Sequence, residues 1–317
     1  MQQVELRLLV QLRTISRYII LGGTFISIPL AVFFPGQLEW QIVMALLALS
    51  IGIPHGAVDH LVSVPKMQLW RMAGFIAGYL AVTGLGIWFL LQNNLLGFQL
   101  IVLVSAIHFG LGDASFGSEI ASRRNAELRN RALYAVAMGF TPVFIPLLVQ
   151  GSTEALAAVN PVLIPWAGGL ETSLLVGVIA LNLVAMLVMA LRRSWPEVID
   201  LGLLLALSLI APPLVAFALY FGGWHALRHT GRLALEFESS RQQSAAGNSS
   251  GAFWKAFNAG LPALALVLVF TVVLGVMTGF DLGTAALWLL LVVIWALTIP
   301  HMALTARLDF RALVSKP

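Results

Sequence analysis

The chain is dominated by apolar runs of roughly 20 residues that follow one another with short polar connections between them. A run of this length suits an α-helix that crosses a bilayer, whereas a membrane β-barrel would show short segments of alternating hydrophobicity. The composition agrees, because 59% of the residues are hydrophobic and 10% are charged. Soluble domains carry about 25% charged residues. We therefore predict an all-α integral membrane protein.

Ten candidate spans can be placed along the chain as a polytopic helical bundle. They run Tyr18–Phe34, Trp40–Val62, Met72–Leu91, Leu96–Phe116, Ala132–Val149, Thr172–Leu191, Val198–Ala211, Pro213–Thr230, Ala256–Met277 and Thr284–Ala306. The seventh and eighth form one apolar tract interrupted by Ala211-Pro212-Pro213, which could be two short spans or one broken helix.

The distribution of basic residues favours ten crossings. Connections 35–39, 92–94, 150–171 and 279–283 contain no Lys or Arg, whereas the alternate connections and both ends are basic. Because basic loops stay in the cytoplasm, ten crossings place every basic residue on that side, and nine crossings break the pattern. We predict one transmembrane domain over 1–317, with both termini cytoplasmic, in the inner (plasma) membrane.

Two less apolar segments complete the predicted organisation. Residues 1–14 spread their charges through a short amphipathic stretch and predict an interfacial helix before the first span. Residues 236–252 are rich in Ser, Gly and Gln, which predicts a flexible cytoplasmic linker. The net charge is +4, and the basic residues behind it serve to orient the chain in the membrane, so we expect no nucleic-acid partner.

The histidines are confined to one layer of the predicted bundle. They lie in the second, fourth, eighth and tenth spans, always in the cytoplasmic half. Ionisable residues at membrane depth are costly and usually face the interior of a bundle, where they serve a function. The six residues are His55, His60, His108, His225, His229 and His301.

The spacing of these histidines favours a shared metal site inside the bundle. His225 and His229 are four residues apart, so both rings lie on one helical face. Pro54, before His55, kinks its helix, and an Ile-Pro-His sequence recurs at His301. The ligands that we predict are His55, His108, His225 and His229.

Other residues near these positions have more than one interpretation. His60 and His301 could coordinate the metal or support its ligands, and Asp59 could orient a ligand through its far N–H group. Asp113 could also support the ligands, although it is more typical of the membrane interface, as is Arg228, whose side chain would reach lipid phosphates. Aromatic side chains beside the site could line an apolar channel; these are Phe109, Phe221 and Trp224.

The residues alone leave the identity of the metal open. The chain has no cysteine, so thiolate ligands are excluded. Four neutral imidazoles suit Fe(II), Zn, Cu or Ni. Neutral ligands leave the charge of the ion uncompensated, which favours the binding of a reducible ligand such as O₂.

Three motifs of this chain resemble those of one known family. Pro54–His60 reads PHGAVDH, His108–Asp113 reads HFGLGD, and Trp224–His229 reads WHALRH. In this order they are similar to the PHGAxDH, HFGxxD and HxxRH motifs of the membrane β-carotene 15,15'-dioxygenases of bacteria and archaea. Pro300-His301-Met302 extends the resemblance into the tenth span.

The resemblance implies an iron(II) enzyme that uses O₂ to cleave the central double bond of β-carotene, or a related carotenoid, into two retinal molecules. It implies His55, His108, His225 and His229 as the iron ligands. A hydrocarbon substrate would enter from the lipid bilayer, and a microbial rhodopsin is the implied acceptor of retinal. The competing interpretations are a histidine-lined cation or proton transporter, which should continue its polar residues to the outer face, and a haem-binding membrane electron carrier.

Overall fold

The computed structural model describes residues 2–57, 68–280 and 282–314, and these are helical with short connections. The α-helices are α1 (Gln2–Phe33), α2 (Glu39–Ala57), α3 (Leu69–Gln92), α4 (Asn94–Arg123), α5 (Arg131–Phe144), α6 (Ser152–Val159), α7 (Glu171–Leu191), α8 (Trp195–Ile210), α9 (Pro213–Tyr220), α10 (Leu227–Glu236), α11 (Glu238–Ala245), α12 (Ser249–Thr278) and α13 (Leu282–Val314). Short 3₁₀ turns at Ile145–Leu147 and Pro161–Leu163 flank α6, and a π-helical segment, Phe221–Ala226, joins α9 to α10.

Six of the described helices are long and apolar enough to cross a bilayer, or seven if a bent pair is one broken span. The bent pair is Arg131–Leu147 with Ser152–Val159, which meet at 85°. The prediction of an all-helical membrane protein is confirmed. The six helices contain Gln3–Phe33, Leu69–Gln92, Asn94–Arg123, Glu171–Leu191, Ser249–Thr278 and Ala285–Phe310.

The first span begins earlier than the sequence predicts. One continuous helix, α1, includes both residues 2–14 and the first apolar run, so the described structure has no boundary at residue 14. Arg13, one of the charged residues in this stretch, is 7% exposed and donates to Glu197 at 2.9 Å and Asp200 at 3.1 Å on α8. The acidic partners allow this charged turn to be buried against another helix.

Residues 236–252, which the sequence predicts as a flexible linker, are largely helical in the structure. Residues Glu238–Ala245 form α11, and α12 already begins at Ser249. Ser240 and Ser244 are buried although the segment is polar. The composition therefore misled the prediction, because small hydroxyl side chains at a spacing of four residues form a face that packs against a neighbouring helix.

At the other doubtful position, the helix breaks at Ala211-Pro212 and resumes at Pro213.

Helices α4 and α5 approach each other closely through two glycines. A Cβ atom on Gly139 would overlap the carbonyl oxygen of Ala106, and one on Gly110 would overlap the carbonyl oxygen of Ala135. Backbone approaches of this kind require small residues and are common between membrane helices. Because Gly110 follows His108 and Phe109, this crossing also fixes the position of the histidine on α4.

We expect Gly139→Ala to destabilise the protein by about 1–3 kcal/mol, since the added methyl group has no space at the crossing. The matched control is Gly84→Ala on α3, where no atom lies within 4 Å of the added Cβ. That change should be neutral or stabilise by up to about 1 kcal/mol. Thermal unfolding of the detergent-solubilised variants measures both effects, and equal stability of the two variants would contradict the proposed crossing.

Candidate metal centre

Five histidines from five places in the chain form one buried cluster, which we call the histidine cluster. Each of these residues is between 3% and 6% exposed. The members are His55 on α2, His108 on α4, His225 in the π-helical segment, His229 on α10 and His301 on α13. The four predicted ligands are therefore brought together, and His301 joins them. His60 and Asp59 lie outside the described residues.

The separations of the rings are those expected around a common ion. The ring centroid of His55 lies 5.5 Å from that of His225, 5.2 Å from that of His229 and 5.3 Å from that of His301. His108 lies 5.3 Å from His225 and 5.2 Å from His301. Metal–nitrogen bonds of about 2.1 Å would place two imidazole centroids roughly 5 Å apart on a tetrahedral ion.

The chemistry of these donors also fits a divalent metal. His225 Nε2 and His229 Nε2 are buried and have no hydrogen-bond partner among the described residues. A buried polar atom without a partner is costly, and coordination to a metal would satisfy it. As the rings stand, no three or more His, Cys, Asp or Glu side chains in the described ranges form a group that could hold an ion. The rings are thus close enough to share an ion, but their nitrogens need reorientation to bind it.

Local backbone features bring the histidines into contact. Gly56 faces His301, whose Nδ1 would lie 3.5 Å from an added Cβ, and Gly112 faces the ring of His225 at 3.6 Å. A Cβ on Gly260 of α12 would overlap the carbonyl of Pro54, so α12 packs directly on the proline-containing end of α2. A Cβ at Gly56 or Gly112 would thus make ordinary van der Waals contact with a ring, which shows how closely the backbone of α2 and α4 approaches the cluster.

The π-helical segment sets the orientation of His225 relative to His229. Their rings are nearly parallel, with an interplanar angle of 12° and centroids 5.9 Å apart. Gly222 and Gly223 lie in this segment, and glycine weakens the regular α-helix by about 1 kcal/mol per residue. A Cβ on Gly222 would come within 3.1 Å of Ala48, so the wide turn also depends on close contact with α2.

An ionic network lies behind the cluster and involves two residues that the sequence placed at the membrane interface. Asp113 is 3% exposed and accepts hydrogen bonds from Trp224 Nε1 at 2.9 Å, Arg228 Nη1 at 3.3 Å and Tyr220 OH at 3.4 Å. Arg228 is 2% exposed, so the prediction that it reaches lipid phosphates is wrong. Its guanidinium lies 3.3 Å over the ring of Trp224 and also pairs with Asp200.

The network continues to residues that were not singled out from the sequence. Asp200 is 1% exposed and accepts from Arg13, Arg17 and Arg228, which come from α1 and α10. A second group, one turn after Arg228, consists of Arg232 with Glu119 at 2.8 Å and Asp309 at 2.6 Å. The charge of these residues could have identified them from the sequence, because a carboxylate or guanidinium within an apolar span requires a partner.

A cavity of about 490 Å³ adjoins the cluster, and its walls are mostly aliphatic and aromatic. Three of the histidines line it, namely His55, His108 and His301. Of the predicted channel residues, Phe109 and Phe221 also line it, and the ring of Phe109 lies 4.4 Å from that of His225. Trp224 does not, because its fully buried ring is held between Asp113 and Arg228.

Comparison with known proteins agrees with the motifs. The chain is 29% identical over 195 residues to a beta-carotene 15,15'-dioxygenase from uncultured marine bacterium 66A03. That alignment covers 58% of this chain and 66% of the relative, a little under two thirds of its length. No solved structure matches. The family model described as beta-carotene 15,15'-dioxygenase matches residues 46–309, which span α2 to α13 and include the whole histidine cluster. Because this match covers more than half of the chain, the chain belongs to the beta-carotene 15,15'-dioxygenase family.

Proposed function

We propose that this protein cleaves the central 15,15' double bond of β-carotene, or a related carotenoid, with iron(II) and O₂. The products are two retinal molecules, and one O₂ supplies both aldehyde oxygens. The observation that carries the proposal is a buried histidine cluster opening into an apolar cavity, in a chain of this family. A transporter path would need polar residues along its length, and the mostly apolar cavity walls favour a hydrocarbon ligand instead.

The iron ligands in this proposal are His55, His108, His225 and His229. His301 lies at the same ring separations and is placed either to coordinate as well or to orient its neighbours. Bound iron(II) would supply the electrons that activate O₂ toward an alkene. The protein's own contribution is to hold neutral imidazoles at fixed positions, because Asp113 and Arg228 anchor the segment that carries His225 and His229.

The cavity would bind and orient the polyene. Removal of apolar surface from water gives about 25 cal/mol per Å², but a carotenoid already dissolved in lipid gains little from this term. Shape must therefore select the bond that is cut, and the rings of Phe109 and Phe221 next to the histidines are placed to hold the polyene against the cluster. The same walls keep water away from the reacting carbons.

We propose that the protein lies in the inner membrane of the cell and crosses it ten times, with both termini in the cytoplasm. The arrangement is supported by the absence of Lys and Arg from alternate connections. It places the histidine cluster in the cytoplasmic half of the bilayer, within the layer to which a carotenoid partitions. A microbial rhodopsin in the same membrane would be a suitable acceptor of the retinal.

Expression in bacteria that accumulate β-carotene should bleach the cells and yield retinal, measured by chromatography of cell extracts. The purified protein should contain iron, and His55→Ala and His229→Ala should each lower the iron content and reduce the retinal yield at least about tenfold, because even the residues that orient metal ligands contribute about 10–100-fold. An exposed change such as Glu127→Gln is the control. Wild-type protein that leaves the carotenoid unchanged in aerated, iron-replete cells would refute the activity.

Asp113→Ala should reduce bound iron, because it leaves Trp224 without an acceptor and Arg228 with only one carboxylate partner, Asp200. Removal of one member of a buried ion pair costs roughly 3–5 kcal/mol. Metal analysis and thermal unfolding should therefore both change. Glu127→Ala breaks an exposed pair with Arg131. It should leave the iron content unchanged and alter the free energy of unfolding by no more than about 1 kcal/mol. Wild-type iron content and stability in Asp113→Ala would contradict the anchoring role.

Reporter fusions test the membrane arrangement. Green fluorescent protein fused after Asn248 should fluoresce, because we place that connection in the cytoplasm. Alkaline phosphatase fused after Thr153 should be active, because we place that connection outside. The opposite pattern at either position would rule out ten crossings with cytoplasmic termini.

A further inference from the structure

The cavity next to the histidine cluster has a mouth on the outer surface of the helical bundle. Three of its lining side chains are exposed: Ile76 (46%) and Leu80 (59%) on α3, and Leu266 (68%) on α12. The other described lining residues are buried or half-buried. The cavity therefore meets the surface between α3 and α12.

The surroundings of this mouth are apolar, so it faces lipid. Leu85 and Trp88 on α3 and Val269 and Phe270 on α12 are all exposed. With a rise of 1.5 Å per residue, Leu80 lies about 18 Å before the end of α3, and Leu266 lies about 18 Å before the end of α12. Under the ten-crossing arrangement both ends face the same side, so the two leucines border one opening deep in the hydrocarbon.

The path from the mouth to the histidines is short. Tyr79 and Leu297 both line the cavity, and the hydroxyl of Tyr79 donates to the carbonyl of Leu297 at 3.1 Å. His301 lies one helical turn beyond Leu297 on α13, which is about 6 Å along the helix. A molecule that enters between α3 and α12 thus meets the cluster almost at once, and the rest of the cavity continues past it toward Leu163 and Pro213.

We propose that the gap bordered by Ile76, Leu80 and Leu266 is the portal through which the carotenoid enters from the bilayer, and that it stays partly occupied during cleavage. This inference rests on the proposed function. A carotenoid has two halves of equal length around the bond that is cut. If that bond lies at the cluster, one half fills the deep part of the cavity and the other half points back toward the portal.

The chain contains no cysteine, so a reversible bridge can close the portal selectively. Leu80→Cys/Leu266→Cys protein in native membranes is treated with bis-methanethiosulfonate linkers of several lengths, and retinal formation is followed before and after reduction. We expect bridging to lower the initial rate at least about tenfold and reduction to restore it. The control pair is Leu183→Cys/Leu187→Cys, on an exposed face of α7. Full activity of the bridged Leu80/Leu266 protein would overturn the portal.

A second measurement does not depend on bridge formation. Leu266→Trp narrows the opening and should raise the KM for bilayer carotenoid about tenfold with kcat within twofold, because entry and not chemistry is affected. Leu268→Trp is the matched control, since Leu268 is also exposed (49%) but does not line the cavity. Equal KM values in the two variants would overturn the portal.

The two proposals fail separately in these experiments. Unbridged and wild-type proteins report whether retinal forms at all, so their inactivity counts against the enzyme function. In that event the portal is still tested by the rate at which the purified protein in lipid vesicles takes up β-carotene, which the bridge at Leu80 and Leu266 should slow to the same extent. Uptake at the unbridged rate would overturn it.

Discussion

Compensation of buried charge is the condition on which the rest of this structure depends. The helix that supplies His229 also carries Arg228 and Arg232, both about 2% exposed in the interior of an apolar bundle. Each of these guanidinium groups pairs with carboxylates from other helices, among them Asp113, Asp200 and Asp309. An isolated charge there would cost several kcal/mol, so helices α1, α4, α8 and α13 can hardly move relative to α10 without breaking these pairs. Because α4, α10 and α13 carry histidines of the cluster, the rings on them are also held in fixed positions. A metal site requires such a fixed set of neutral imidazoles.

Charge and apolar surface are divided between two sides of the cluster. On one side the ionic network surrounds Trp224 and Arg228, and on the other Phe109, Phe221 and His55 face the cavity. This division lets a polar frame determine the geometry while the reacting region stays dry. It also explains the position of Trp224, whose aromatic face contacts a guanidinium while its indole N–H donates a hydrogen bond to a carboxylate.

The sequence predicted the class of fold and most of the cluster, because both depend on local signals. Runs of apolar residues identify membrane helices, and histidines in such runs, with His225 and His229 four residues apart, indicate a site. The errors at Arg228, Trp224 and residues 236–252 share one cause. Whether a side chain faces lipid, a cavity or a neighbouring helix, and whether a polar segment packs as a helix, depends on contacts between distant residues, such as Arg13 with Asp200, which are 187 positions apart. No pattern within a single helix contains that information.

The wide turn at Phe221–Ala226 has an evolutionary consequence. A π-helical turn inside an α-helix contains one residue more than a regular turn, so it corresponds to an insertion and not to a substitution. Deletion of that extra residue would rotate α9 relative to α10 by about 100° and turn the cavity wall away from the histidines. Conversion to an uninterrupted helix with α9 and α10 in their present positions would therefore remove one residue. Length-preserving mutation can adapt the cavity face of α9 while the ion-paired face of α10 stays in place.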